Sequence, residues 1–245
     1  MKEHLKGQIG EDAVNHVATG TFLKYWCYPS PKDENKDSKE ITDLLILFQD
    51  KALIVSVKNY EFKGNYEKYF RLTLKKAVSQ ISGAERKLFE LDGQITFTHP
   101  TRGKHLFNPD QYKTVHRIIV NLSTEVQFYP GAQETKKGKT VHVFNWFAFL
   151  EVLNELDTIS DFFQYLQERE RVCQLKQLYL LCGSEDDWMP ETGFQFLNYL
   201  PSNVDAVESK PTILFSGNEL DLLAVYLSNI REFDPVFYDL NSKMT

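Results

Sequence analysis

Two apolar runs, ITDLLILF (residues 41–48) and KALIVSVK (residues 51–58), are separated by only Gln49 and Asp50. Each has the length of a strand, and two intervening residues are what a tight antiparallel hairpin requires. With Phe48 opposite Lys51, Leu44 falls opposite Val55 and Asp43 opposite Ser56. Directly opposed side chains project from the same face of a sheet, and Lys58, two residues beyond Ser56, projects there too. One acid, one hydroxyl and one ammonium are thereby expected together at the rim of an otherwise apolar pair. A one-residue change in the turn would shift this pairing, so the alignment depends on turn length.

Other segments surround the hairpin. Leu5, Ile9, Ala13 and Val17 recur every four residues, which predicts an opening helix laid on the core and punctuated by Gly20. TFLKYWCY reads as a first strand and PSPKDENKDSKE as a charged loop. From Tyr66, the positions Phe70, Leu74, Ala77, Ile81, Ala84, Leu88 and Leu91 alternate steps of four and three, the stripe of a long amphipathic helix. TFTHPTRGKHLFNPDQY is rich in turn formers and reads as loop. VHRIIVNL and KTVHVF read as strands around a turn containing Pro130 and Gly131. FNWFAFLEVLNEL and ISDFFQYLQERERVCQLKQLYLL follow as helices, the second capped by Thr158 or Ser160. GSEDDWMPETG breaks the pattern, and SGNELDLLAVYLSNI opens with Ser216 three residues before Glu219, a capping-box spacing. The order predicts an α/β fold, a mixed sheet flanked by helices, followed by a mainly helical C-terminal part.

Charge divides the chain at the same place. Residues 1–145 hold 22 Lys+Arg against 17 Asp+Glu, whereas residues 146–245 hold 6 against 17. We therefore take residues 1–145 as one domain and residues 146–245 as an acidic extension. Such an extension is suited to core completion, a protein partner or homodimerisation. Within the first part, Lys51, Lys58, Lys63, Lys68, Arg71, Lys75 and Lys76 face only Glu61 and Glu67 between residues 51 and 76. That excess suits a polyanion, although a solvated helix face accounts for Lys75 and Lys76 equally well. No apolar run has membrane-spanning length and MKEHLKGQIGED has no signal-peptide core, so no membrane partner and a cytoplasmic location are expected. Cys27, Cys173 and Cys182 are odd in number and lack metal-ligand spacing, and read as buried apolar fillers.

Four motifs, in order, resemble the PD-(D/E)xK nuclease superfamily, most closely its nuclease-related-domain and Mrr-type restriction branches. They are GQIGEDAV with Glu11, ITDLLIL with Asp43, IVSVKNY with Lys58, and QISGA with Gln80 and Ala84. The likeness spans residues 7–91, under half of the chain. It implies a restriction-endonuclease-like core and magnesium- or manganese-dependent cleavage of DNA. In that family Asp43 and a second acid would bind the metal, Lys58 would orient water, Glu11 would assist the metal and Gln80 would support the centre. The second acid falls on Ser56, so one carboxylate is missing and metal binding should be weak. The Val57 carbonyl and a relocated glutamate are the expected substitutes. Glu67 on the first turn of the long helix is preferred and Glu61 comes second, neither at the relocated acid's usual spacing. The basic residues Lys63, Lys68, Arg71, Lys75 and Lys76 would grip DNA phosphates. Each position also has a plainer role. Asp43 can begin a strand, the Lys58 stem can cover the core, Glu11 can flank a helix, and Gln80 can border the apolar stripe. The enzyme reading thus stands beside an inactive nuclease-fold module that binds nucleic acid or protein.

Overall fold

A computed structural model describes residues 2–35, 39–91, 93–123, 126, 128–175, 177–181, 212–216, 219, 223 and 224. Three antiparallel strands open the main sheet: β1 (Cys27–Pro29), β2 (Leu44–Phe48) and β3 (Lys51–Lys58). The hairpin has the register expected from its spacing, with Leu44 opposite Val55 and Phe48 opposite Lys51. Gln49 supplies the left-handed residue of its two-residue turn, at φ 51°. The sheet continues in parallel through β6 (Thr114–Asn121) and β9 (Thr140–Asn145) and closes with antiparallel β8 (Ala132–Glu134). Between them lie the hairpin of β4 (Ile95–His99) and β5 (Gly103–Phe107), and β7 (Phe128–Pro130), which joins β10 (Gln177–Leu181) and β11 (Thr212–Ser216) in a second sheet.

The main sheet is buried on both faces, which is why its strands read as continuous apolar runs and not as alternations. One face carries Leu45, Leu47, Ala52, Ile54 and Ile119 against a helical segment: α2 (Tyr66–Phe70), a π-helical stretch (Arg71–Lys75) and α3 (Lys76–Phe89). Phe70, Leu74, Ala77, Ile81, Ala84 and Leu88 of the expected stripe are all buried there. Glu85 fixes the azimuth of α3, because Arg117 of β6 donates to both its oxygens at 2.6 and 2.7 Å and Lys139 donates to Oε1 at 2.5 Å. Burial alone would raise this carboxyl's pKa; the Arg117 and Lys139 bonds outweigh it and hold Glu85 below the usual range.

The opposite face carries Leu44, Ile46, Leu53, Val55, Val57, Ile118 and Val120. It is covered by α1 (Lys2–Gly20), α4 (Trp146–Glu155) and α5 (Ile159–Leu175). Residues on the C-terminal side of position 145 thus complete this core through Phe149, Val152, Phe162, Phe163 and Leu166. No described helix is long and apolar enough to cross a membrane.

Several local expectations are corrected. Among the described side chains of α1 the buried residues are Gly10, Val14 and Ala18, while Ile9 is exposed. The helix is rotated because Gly10 lets its backbone approach the sheet: a Cβ there would lie 2.5 Å from Leu122 Cδ1 and 3.1 Å from Asn59 Cβ. TFLKYWCY makes a 3₁₀ turn over Phe22–Tyr25, capped by the Thr21 hydroxyl, before the short β1. The stretch read as loop after α3 contains the β4–β5 hairpin. Ile95, Phe97 and His99 alternate inward, and the turn formers are confined to its tip, where Gly103 has φ +76°. Strands β6 and β9 are parallel, so the Pro130–Gly131 turn does not join them as a hairpin. Thr158, accepting from Asp161 N at 3.2 Å, caps α5, and QLYLL leaves that helix to become β10. Cys27 and Cys173 are both buried. Cys182, the GSEDDWMPETG segment and most of the segment after Ser216 lie outside the described residues.

Candidate functional site

Parallel strands β3 and β6 end in register, Lys58 beside Asn121, and β9 continues the row with Asn145 beside Asn121. The carboxyl ends of such strands form a crevice where α/β proteins commonly bind ligands. Asp43, just before β2, meets this end from the antiparallel side. Its backbone is pinned twice: Ser30 N donates to Asp43 O at 2.9 Å, and the neighbouring Thr42 hydroxyl donates to Val55 O at 2.7 Å. Asp43 Oδ2 accepts from Val57 N at 2.5 Å and from the Ser56 hydroxyl at 3.2 Å, and lies 4.0 Å from Lys58 Nζ. Lys58 Nζ in turn donates to Ser56 Oγ at 2.8 Å and to Val57 O at 2.7 Å. Asp43, Ser56 and Lys58 therefore converge on the face covered by α2 and α3. Ser56 links the other two.

Two further carboxylates join them. Glu11, Glu40 and Asp43 each present an oxygen, and these oxygens all lie within 4.8 Å of one another. Glu11 comes from α1, whose body covers the other face. The close approach of Gly10 to Asn59 and Leu122, just past the strand ends, carries it round to this position. Glu40 comes from the charged loop, which closes on itself through Ile41 N donating to Pro31 O at 2.9 Å and a bridge between Lys32 and Glu40. Partial burial, then the negative charges of Asp43 and Glu11, push the Glu40 carboxyl up to about 7. Lys58 is shifted the other way: its burial lowers the ammonium pKa, Asp43 opposes that, and Lys76 adds to it. Three crowded carboxylates beside one buried ammonium form a donor set of hard oxygens, which fits a cation such as Mg²⁺ or Mn²⁺.

The remaining expected residues are placed differently. Glu67 and Glu61 are exposed and are not among the acids gathered at Asp43; the additional acids there are Glu11 and Glu40, the latter also exposed. The Val57 carbonyl is occupied by Lys58. Gln80 is exposed on α3, with the buried stripe running through Ala77, Ile81 and Ala84 instead. Lys63, Lys68, Arg71, Lys75 and Lys76 are all exposed. Lys76 borders the site: it donates to Tyr60 OH at 3.2 Å and is felt by Lys58. The sequence points to helical glutamates after Lys58, and its one signal for Glu40 is the place of that residue three positions before Asp43.

Fold and site together define an α/β protein whose mixed six-stranded sheet ends in grouped carboxylates beside a buried lysine and a serine. No family model matches the chain, and no curated protein or solved structure matches it either.

Proposed function

We propose that the chain is a Mg²⁺- or Mn²⁺-dependent nuclease of the PD-(D/E)xK type, cleaving DNA phosphodiesters in the cytoplasm in a restriction or defence setting. The observation that carries this reading is the meeting of Asp43, Ser56 and Lys58 with Glu11 and Glu40 at one end of the sheet. Asp43, Glu40 and Glu11 would hold the ion, with Glu40 supplying the charge that Ser56 does not. When bound, the ion supplies Lewis-acid polarisation of the phosphate and a water of lowered pKa. Lys58 has three N–H donors. Two go to Ser56 Oγ and Val57 O, which aims the ammonium and leaves the third for an attacking water or a phosphate oxygen. Ser56 acts as the relay that sets this orientation. The exposed Lys68, Arg71, Lys75 and Lys76 supply positive charge along the adjoining helix for the DNA backbone.

A second reading is a nuclease-fold module that binds nucleic acid or a protein without cutting. It is favoured by the serine in place of an acid. Cleavage of linear, circular and single-stranded DNA by wild type, Asp43→Ala and Ser56→Glu, across Mg²⁺ and Mn²⁺ concentrations, separates the two. The enzyme reading requires activity that Asp43→Ala loses. Equal background from all three proteins would replace it with the binding module.

A further inference from the structure

On the opposite face of the sheet, away from the acidic site, β6, β9 and α5 bring together His116, His142 and Glu170. Each offers a ligand atom within 4.8 Å of the other two. His116 and His142 are buried, at 2% and 0% exposure, yet His116 Nδ1 and His142 Nε2 have no hydrogen-bond partner. Leaving a buried polar nitrogen unpaired costs on the order of 1–3 kcal/mol, so two in one place call for something that satisfies both. Glu170 is already aimed. Gln174 Nε2 donates to its Oε1 at 3.2 Å, and Oε2 lies 3.5 Å from His116 Nδ1. Outer hydrogen bonds of this kind orient ligating carboxylates. Zinc bonds to nitrogen and oxygen of about 2.0–2.2 Å in tetrahedral array put ligand atoms roughly 3.3 Å apart. The His116–Glu170 separation matches that spacing.

We propose that His116, His142 and Glu170 form a second cation site, which takes a zinc-class divalent ion and fastens α5 to β6 and β9. The nitrogen-rich donor set selects against Mg²⁺, which prefers an all-oxygen shell. Neighbouring charges are already matched: Arg169 is paired with Glu219 and Arg117 with Glu85. The Arg169 guanidinium does constrain the tautomer. Its Nη1 lies 3.3 Å from His142 Nδ1 and can only donate, which puts the ring proton on Nε2 in the metal-free protein. Coordination through Nε2 moves that proton to Nδ1, leaving the ring neutral but turning this hydrogen bond into two opposed donors, a cost that the metal bonds have to exceed. Arg169 keeps its bonds to Gly131 O, Val143 O and both Glu219 oxygens. The ion would enter beside Glu170, whose side chain is 25% exposed.

The test uses the full chain stripped of metal, with Mg²⁺ in excess to fill any oxygen-only site. Co²⁺ serves as the visible probe and Zn²⁺ as its competitor. Expected is one equivalent of Co²⁺ with the absorption of a low-coordinate nitrogen–oxygen site, displaced by Zn²⁺ and raising the melting temperature. Glu170→Gln, at the partly exposed ligand, should keep the folded circular-dichroism spectrum and weaken Co²⁺ binding at least tenfold. His116→Gln should do the same, and Asp43→Ala should leave the binding intact. No Co²⁺ taken up by the folded wild type would overturn the proposal. So would equal Co²⁺ affinity in wild type and folded Glu170→Gln, which would leave the cluster as a polar pocket for a buried water.

Discussion

At the scale of single residues, the candidate site depends on how Ser56 is used. Standing where a second acid is expected, it donates to Asp43 and accepts from Lys58, so it conveys orientation in place of charge. Asp43→Ala removes the carboxylate bonded to both the β3 backbone and Ser56. It should cost more than about 100-fold in metal-dependent cleavage, beyond the 10–100-fold typical of outer-shell partners, as read by single-turnover assays. Glu40→Gln keeps the size of the side chain and removes one negative charge. It should weaken Mn²⁺ binding at least about tenfold in a calorimetric titration. Glu67→Gln, on an exposed carboxylate away from the cluster, should leave that binding unchanged. Should Glu67→Gln weaken binding more than Glu40→Gln, the acid that replaces the missing ligand has been misassigned. Ser56→Glu should preserve or raise activity, the gain being smaller the more completely Glu40 already fills the coordination position.

At the scale of elements, α1 and the α2–α3 segment act on the site in different ways. The close approach of α1 at Gly10 is what delivers Glu11. Gly10→Ala adds a Cβ 2.5 Å from Leu122 Cδ1 and 3.1 Å from Asn59 Cβ. The Leu122 methyl can move, whereas the Asn59 Cβ is a carbon fixed to the β3 end. Overpacking of about 1–3 kcal/mol should exceed the helix-propensity gain of about 1 kcal/mol. A net loss in urea-melt stability is expected, with a disproportionate loss of metal affinity as Glu11 is pushed back. Unchanged affinity would mean that Glu11 is not a ligand. Lys68, Arg71, Lys75 and Lys76 of the α2–α3 segment are exposed. Mutating Lys68, Arg71, Lys75 and Lys76 together should weaken DNA binding and reduce the salt slope by roughly one unit for each phosphate no longer neutralised. An unchanged slope would assign them to a merely solvated helix face.

At the scale of the whole molecule, buried polar groups tie distant parts of the chain into one core. Glu219 is fully buried. Arg169 donates to it at 2.7 and 3.1 Å, and the Tyr165 hydroxyl donates to it as well. Glu219→Ala leaves the Arg169 guanidinium buried without its counter-charge, which should cost about 3–5 kcal/mol in denaturant melts. A loss below about 1 kcal/mol, the range of an exposed pair, would show that the Glu219–Arg169 pair is dispensable to the core. The buried histidines set the acid limit. Burial, with help from Arg102, lowers the pKa of His99 and His105, and burial with Arg169 lowers that of His142 well below the ordinary 6.5. Above that value both folded and unfolded chains hold them neutral. Below it the unfolded chain binds protons that the folded chain refuses, so stability falls as pH drops from about 6.5 toward the folded-state values. Thermal melts of the metal-free Glu40→Gln protein from pH 8 to 5, in which the opposing proton uptake of Glu40 is removed, should show this decline, and a flat profile would contradict it.

The sequence alone determined what depends on short spacing. Two residues between two apolar runs left one economical hairpin, and period-two geometry then placed Asp43, Ser56 and Lys58 on one face. The helical stripe from Phe70 to Leu88 was equally legible, because a period of three and four residues holds whatever lies opposite. The mixed α/β architecture followed from the order of these elements. Tertiary structure alone decided which glutamates reach Asp43, since Glu11 and Glu40 arrive from a rotated helix and a self-closing loop, far along the chain from β3. It also decided that β6 and β9 run parallel and that residues 146–175 complete the core of the same sheet. Charge composition could not reveal that last point, because net charge describes the solvent-facing atoms while burial depends on the apolar face turned inward. The same reason hid His116, His142 and Glu170: their meeting is set by strand register and helix docking, neither of which has a local period to read.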